Sequence, residues 1–287
     1  MPIVVEHLSH IYSPGTPFAV EALKDVSFTL TDGEFLGIIG HTGSGKSTLA
    51  QYLNGLTLPQ HGTVTVDGTV LNEAHDRKSI RTKVGMVFQY PEYQLFEETV
   101  EKDICFGPKN MGLSEEEQKQ RAANALALMG LSMDEIGQQS PFALSGGQRR
   151  RVAIAGILAM EPSYLVLDEP TAGLDPAAKA TMLSIIRKLH KENGITVVMI
   201  SHNMEDMALL ADRILVMDRG ILAMAGTPEE VFCHEAELKA MGLDVPISYR
   251  LISMLKKRGI HAAYKREHND LAASIAQAVK EGNRHDG

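Results

Sequence analysis

The sequence predicts an α/β fold, a buried sheet with helices between its strands and one all-helical insert. Three observations carry this. Short apolar runs end in a glycine or a carboxylate: FLGIIG (35–40), YLVLD (164–168) and RILVMD (213–218). Helical patterns separate them. From Pro91 to about Glu161 the strand signal disappears and helix signals take over.

IVVEHL (3–8) and VSFTL (26–30) read as strands, with a loop at Pro14, Gly15 and Pro17 between them. FLGIIG is a buried strand, and a helix is expected from Lys46 to Leu56. GTVTVDGTVL (62–71) alternates around a DG turn and reads as a hairpin. VGMVFQ (84–89) is a further strand. In the insert, SEEE (114–117) is a capping box, followed by Ala122, Ala125, Leu126 and Met129 on one helix face. TVVMIS (196–201) lies between the last two carboxylate-ended regions. Thr227 and Pro228 fit an N-cap and first turn, opening a helical, charged tail.

With 287 residues, 44% of them hydrophobic, the chain can build a large core. It carries 28 basic against 36 acidic residues, a net charge of -8, which argues against a sequence-independent nucleic-acid binder. Arg149–Arg151 is read as a solvated or interdomain face. Cys105 and Cys233 are far apart and suggest neither a disulfide framework nor a zinc site. The N-terminus lacks a signal-peptide pattern. The longest apolar run, VAIAGILAM (152–160), is too short to span a bilayer, so a chain soluble by itself is expected, reaching a membrane only through a partner.

GHTGSGKS (40–47) matches G-x-x-x-x-G-K-[ST] between a buried strand and a helix. Backbone N–H groups of Gly40, His41, Thr42, Gly43, Ser44, Gly45 and the helix start through Thr48 can close around phosphate oxygens. Lys46 bridges the β- and γ-phosphates of ATP, and Ser47 ligates Mg²⁺. In LVLDEP (165–170), Asp168 is placed to hold Mg²⁺ through water, and Glu169 to orient or deprotonate the attacking water. LSGGQ (144–148) places Ser145, Gly146, Gly147 and Gln148 at a second helix start suited to phosphate.

In this order these motifs resemble the ATP-binding cassette (ABC) ATPases over residues 1 to about 230. The resemblance implies a P-loop, RecA-like core with an antiparallel β subdomain and a helical subdomain at about 91–161. It makes Tyr12 the aromatic that stacks on adenine, although a loop tyrosine beside proline also serves as packing. It makes Gln89 the Q-loop glutamine, a ligand of the metal and part of the catalytic set. Asp175 fits the D-loop and His202 the γ-phosphate-contacting switch histidine. It implies that two subunits meet head to tail, each signature closing on the other's nucleotide.

VFQYPEYQLF (87–96) holds four of the chain's 8 Phe and 7 Tyr. The stretch could be core filling, a ligand site or a docking surface. Continued as FEETVEKDICFGPKNMGL, and with DEPTAGLDP, it resembles the second (A-prime) ATPase of energy-coupling factor (ECF) transporters of vitamins and metal ions. That resemblance implies a peripheral protein at the cytoplasmic face of the cell membrane. Its implied partners are a second, non-identical ATPase, a transmembrane T-subunit and a substrate-binding S-subunit, with no nucleic acid. The C-terminal helical extension, 231–287, is expected to support ATPase pairing. Tyr90, Tyr93, Leu95 and Phe96 are expected to line a groove for a T-subunit helix. The nearer rival is the ATPase of an ordinary solute importer, commonly a pair of identical ATPases with a different tail. A non-transport ABC ATPase acting on DNA or ribosomes usually has two cassettes or a long coiled-coil arm, and neither is seen.

Overall fold

The computed structural model describes residues 2–72, 77–264, 266 and 268–282. Of the tail expected to be helical, residues 265, 267 and 283–287 lie outside the described residues. In chain order, β1 (Ile3–Tyr12), β2 (Val20–Leu30), β3 (Phe35–Gly40) and α1 (Lys46–Leu53) lead to β4 (His61–Val66), β5 (Thr69–Val70), α2 (Arg77–Lys83) and β6 (Val84–Val87). The helical region carries a 3-10 turn at Pro91–Gln94, then α3 (Val100–Asn110), α4 (Glu115–Leu128), α5 (Met133–Ile136) and α6 (Gly146–Leu158). β7 (Tyr164–Asp168), α7 (Pro176–Lys191), β8 (Thr196–Ile200), α8 (Met204–Leu210), β9 (Arg213–Asp218) and β10 (Ile221–Gly226) complete the sheets. The tail forms α9 (Pro228–Phe232), α10 (Glu235–Ala240), α11 (Ile247–Lys257) and α12 (His268–Gly282).

Two sheets result. One is six-stranded, in the order β10-β9-β3-β8-β7-β6, and the other four-stranded, β2-β1-β4-β5. In the larger sheet β9, β3, β8, β7 and β6 run parallel and β10 is an antiparallel edge. Strand alternation sends neighbouring side chains to opposite faces. Phe35, Leu165, Leu167, Val197, Met199, Ile214 and Val216 pack with the helical region and the start of the tail. Leu36, Ile38, Val166, Val198, Ile200, Leu215 and Met217 pack with α1 and the small sheet.

Several boundaries differ from the sequence reading. β2 begins at Val20 rather than residue 26. Register shifts along β1 and β2, with positive φ at His7 and Asp25, break the alternation that marks a strand. β10 was not anticipated, although ILAMAG is an apolar run; as the sheet's edge its residues are only partly buried or exposed. α1 ends at Leu53, ahead of Gly55 with its left-handed φ of 71°. β6 stops at Val87, two residues short of Gln89. The tail is more than a charged appendage: Phe232, Leu238, Leu243, Val245 and Tyr249 join the main core.

The Arg149–Arg151 run also departs from expectation. Arg150 is 2% exposed, one of the largest fully buried side chains. Its guanidinium is gripped bidentately by Glu92, Nε to Oε2 and Nη2 to Oε1, both at 2.9 Å. Nη1 donates to the Ala172 carbonyl at 2.7 Å, and the guanidinium lies 5.6 Å from the Tyr90 ring centre. Arg151 donates to the carbonyls of Met129 and Gly130, closing the end of α4.

Removing one member of a buried ion pair strands the other charge, at a cost of about 3–5 kcal/mol. Arg150→Met therefore lowers the urea midpoint sharply. Adding Glu92→Gln costs less than the sum of the two single changes, which a double-mutant cycle measures.

Candidate functional site

The functional side chains gather beyond the carboxyl ends of the parallel strands, the usual ligand position of an open α/β sheet. β3 delivers the glycine loop at residues 40–47. Asp168 ends β7, with Glu169 next to it. His202 follows β8, and Asp218 ends β9.

The loop is set by backbone packing. A Cβ on Gly40 would lie 2.4 Å from the Met217 carbonyl and the Ser44 Oγ, and one on Gly45 2.4 Å from the Ala22 carbonyl. Gly43 and Gly45 have left-handed φ values of 82° and 102°. Lys46 Nζ donates to the carbonyls of Gly40 and His41 at 2.8 and 2.9 Å. Burial pushes the Lys46 ammonium down from its usual range, opposed by the charges of Glu169 and Asp168. Burial pushes the Asp168 carboxyl up, offset in part by the Ser47 hydroxyl and by Lys46.

Glu169 is in the left-handed region, φ 52°, which costs an L residue about 1–2 kcal/mol. Its N–H donates to the Ile200 carbonyl at 2.9 Å, tying β7 to β8. One carboxylate oxygen meets His202 Nδ1 at 2.9 Å; the histidine is exposed and the glutamate largely buried. Asn203 caps α8 directly after His202, accepting from Asp206 N–H at 3.1 Å.

Tyr12 ends β1 beside the loop, its hydroxyl 3.1 Å from Thr48 Oγ1 and its ring edge-on to His10 at 4.2 Å. Its ring is half-exposed. Gln89 is exposed two residues past the end of β6, and no hydrogen bond joins it to Ser47 or Asp168. Ser145 and Gln148 cap each other at the start of α6, leaving Gly146 and Gly147 as its first turn. Among the described residues no hydrogen bond or ion pair joins residues 145–148 to the glycine loop. Asp175 caps α7, accepting from Ala178 N–H at 2.9 Å.

The aromatic stretch divides. Leu95, expected on the surface, is buried in the core, because the chain after the Pro91–Gln94 turn folds inward onto α3. Tyr93 is 82% exposed, and Phe96 stacks edge-on with Phe106 at 5.0 Å, both open to solvent. Of the four residues expected to line a groove, Leu95 and Phe96 line one of about 710 Å³, with Phe106, Leu56, Met86 and Phe88; Tyr90 and Tyr93 are not among its lining residues.

Residues missed in the sequence include Asp218, which meets His41 Nε2 at 3.0 Å, and the Glu92–Arg150 pair. RILVMD ends in a carboxylate as YLVLD does, and that parallel was the available signal for Asp218.

A glycine loop at a strand end, a neighbouring carboxylate pair and a histidine just past the adjoining strand define a nucleotide-binding ATPase cassette. Residues 23–172 match the family described as ABC transporter. The energy-coupling factor transporter ATP-binding protein EcfA2 of Caldanaerobacter subterraneus subsp. tengcongensis is 55% identical over 261 residues, covering 91% of each chain. EcfA2 of Clostridium tetani is 50% identical over 282 residues, 98% of this chain and 96% of that one. The solved cbiO1 of Clostridium perfringens, described as part of the ABC transporter complex cbiONQ, aligns with TM-score 0.73 at 37% identity, covering 88% and 98% of the two chains. The dimeric cassette MJ0796, in a post-hydrolysis state with ADP and Pi, gives 0.70 at 30% identity, covering 79% and 98%. The chain belongs to the ABC transporter family and, within it, to the energy-coupling factor ATP-binding proteins.

Because burial disfavours the charged form of Asp168, its charge costs stability at neutral pH. Asp168→Asn raises the thermal midpoint of the nucleotide-free chain by a few degrees, at roughly 2–4 °C per kcal/mol. The gain is absent below the unfolded carboxyl value and grows as pH rises through the elevated one. Thermal scans at acidic and neutral pH check both.

Proposed function

We propose that this chain is the ATP-binding and ATP-hydrolysing subunit that powers an ECF-type importer of vitamins, other micronutrients or metal ions. The observation that carries the reading is the Glu169–His202 contact at 2.9 Å, set on adjacent strand ends beside the Lys46 loop. A buried carboxylate held by a histidine next to a phosphate cradle suits attack of water on a γ-phosphate.

In this mechanism the loop N–H groups from Gly40 to Thr48 hold the phosphates. Lys46 exchanges its loop carbonyls for β- and γ-phosphate oxygens. Glu169 orients the attacking water and takes its proton, and His202 contacts the γ-phosphate. Tyr12 offers its open face to adenine. Ser47, Asp168 and Gln89 would hold Mg²⁺. The donors fit: Ser47 offers a hydroxyl and Asp168 a carboxylate oxygen, and Mg²⁺ beside phosphates ordinarily takes one or two protein oxygens. When bound, the ion neutralises charge on the phosphate oxygens.

Ser145, Gly146, Gly147 and Gln148, unconnected to this chain's own loop, suit the nucleotide of a second, non-identical ATPase. α11 supports that pairing, because Ile247, Leu251 and Met254 form an exposed apolar stripe at helical spacing. The groove beside Phe96 and Phe106 suits an amphipathic helix of the T-subunit, and the S-subunit carries the substrate. Among the described residues no helix is long and apolar enough to cross a membrane. Attachment at the cytoplasmic face then runs through the T-subunit.

Glu169→Gln keeps ATP binding and lowers hydrolysis in the assembled complex by about a hundredfold or more; phosphate release measures it, and unchanged turnover removes Glu169 from the chemistry. Phe96→Ala weakens recovery of the T-subunit in pull-downs while nucleotide affinity stays within about twofold. Normal T-subunit recovery with intact coupled transport would remove the groove from the docking surface.

A further inference from the structure

β1 and α1 meet along two pairs of side chains. His10 and Tyr12 are two residues apart on β1 and share one face of the strand. Thr48 and Tyr52 are four apart on α1 and share one face of the helix. The spacings match, because two strand residues advance about 6.7 Å and four helical residues about 6 Å. The pairs run antiparallel. Tyr12 Oη lies 3.1 Å from Thr48 Oγ1, and Tyr52 Oη lies 2.7 Å from His10 Nδ1.

His10 and Tyr52 are buried, while Tyr12 is half-exposed. The His10 ring stands nearly at right angles to the Tyr12 ring, with centres 4.2 Å apart, and crosses the Tyr52 ring at 5.7 Å. Among the described residues His10 Nε2 is buried and makes no hydrogen bond, so the Tyr52 hydroxyl is the ring's one polar tie. Burial pushes the His10 imidazole down and the Tyr52 phenol up to about 12, so this tie joins two neutral groups near pH 7.

We infer that His10 and Tyr52 are positioning residues for the nucleotide base: Tyr52 fixes the His10 ring, and the His10 ring fixes the plane that Tyr12 presents. The inference rests on the reading of Tyr12 as the surface on which adenine stacks. The Thr48 contact lies on the long axis of the Tyr12 side chain. It holds the hydroxyl but leaves the ring free to turn about that axis, and the His10 ring removes this freedom. A ring whose plane is set before the base arrives spares binding the cost of ordering it.

The test measures affinity of the full-length chain for a non-hydrolysable ATP analogue with unmodified adenine, with Mg²⁺, by titration calorimetry. Tyr12→Ala weakens binding by about tenfold or more, the loss of base stacking. Tyr52→Phe weakens it by about three- to tenfold, and in the Tyr12→Ala background the same change has an effect within about twofold. His10→Phe/Tyr52→Phe keeps a ring beside Tyr12 and leaves no polar group unpaired, so its affinity stays within about twofold of wild type. His10→Leu/Tyr52→Phe, also free of unpaired groups, loses the ring and binds about three- to tenfold more weakly; this pair carries the comparison if Tyr52→Phe folds poorly. Equal affinity of the two double variants overturns the inference. So does a loss that persists undiminished in the Tyr12→Ala background, because it then acts through α1 and the phosphate loop. Unchanged affinity in Tyr12→Ala overturns the reading of Tyr12 itself, and the inference with it.

Discussion

The guanidinium of Arg150 is the point at which three parts of the molecule meet. It comes from α6, two residues after the Ser145–Gln148 cap. It is clamped by Glu92 in the turn that follows Gln89, and it donates to carbonyls at Pro170 and Ala172, just beyond Glu169. A planar donor with five N–H groups can serve all of these at once, which a lysine could not. The wall of the Phe96 groove, the start of α6 and the backbone beside Glu169 therefore share one rigid node. Their relative placement is determined by hydrogen-bond geometry in the interior rather than by surface contacts.

The chemistry end of the sheet is built at a local cost. Lys46 and Asp168 are buried enough that each is pushed toward its neutral form; Glu169 and then Asp168 oppose this for Lys46, and Ser47 and then Lys46 oppose it for Asp168. Such mutual dependence suits a site that receives an anion and a cation together, because the incoming charges complete a balance the protein leaves open. The apolar strands behind it, packed on both faces, supply the stability that offsets this.

What the sequence disclosed follows from locality. The glycine loop, the carboxylate pair, the capping box at Ser114 and the helix start at Ser145 are each written within a few consecutive residues, and their backbone needs leave a direct mark on residue choice. Buried strands of the larger sheet were legible because both faces are apolar. The outer strands were not: β2 is interrupted by bulges, and β10, the apolar ILAMAG, follows β9 after only Arg219 and Gly220. Arg150 hid inside three consecutive arginines that look like a solvated face. Leu95 hid among exposed aromatics. The His41–Asp218 contact spans 177 residues and arises only because β9 lies beside β3. Nothing local to either residue records that adjacency.

The left-handed backbone at Glu169 has a further consequence. Glycine adopts that conformation without steric penalty, so Glu169→Gly would relax the chain at this point while deleting the carboxylate. Folding and the proposed role in hydrolysis thus favour different residues at one codon. A lineage that no longer needs hydrolysis from its cassette gains nothing by keeping glutamate there, and its loss would be among the early marks of a subunit kept only for assembly.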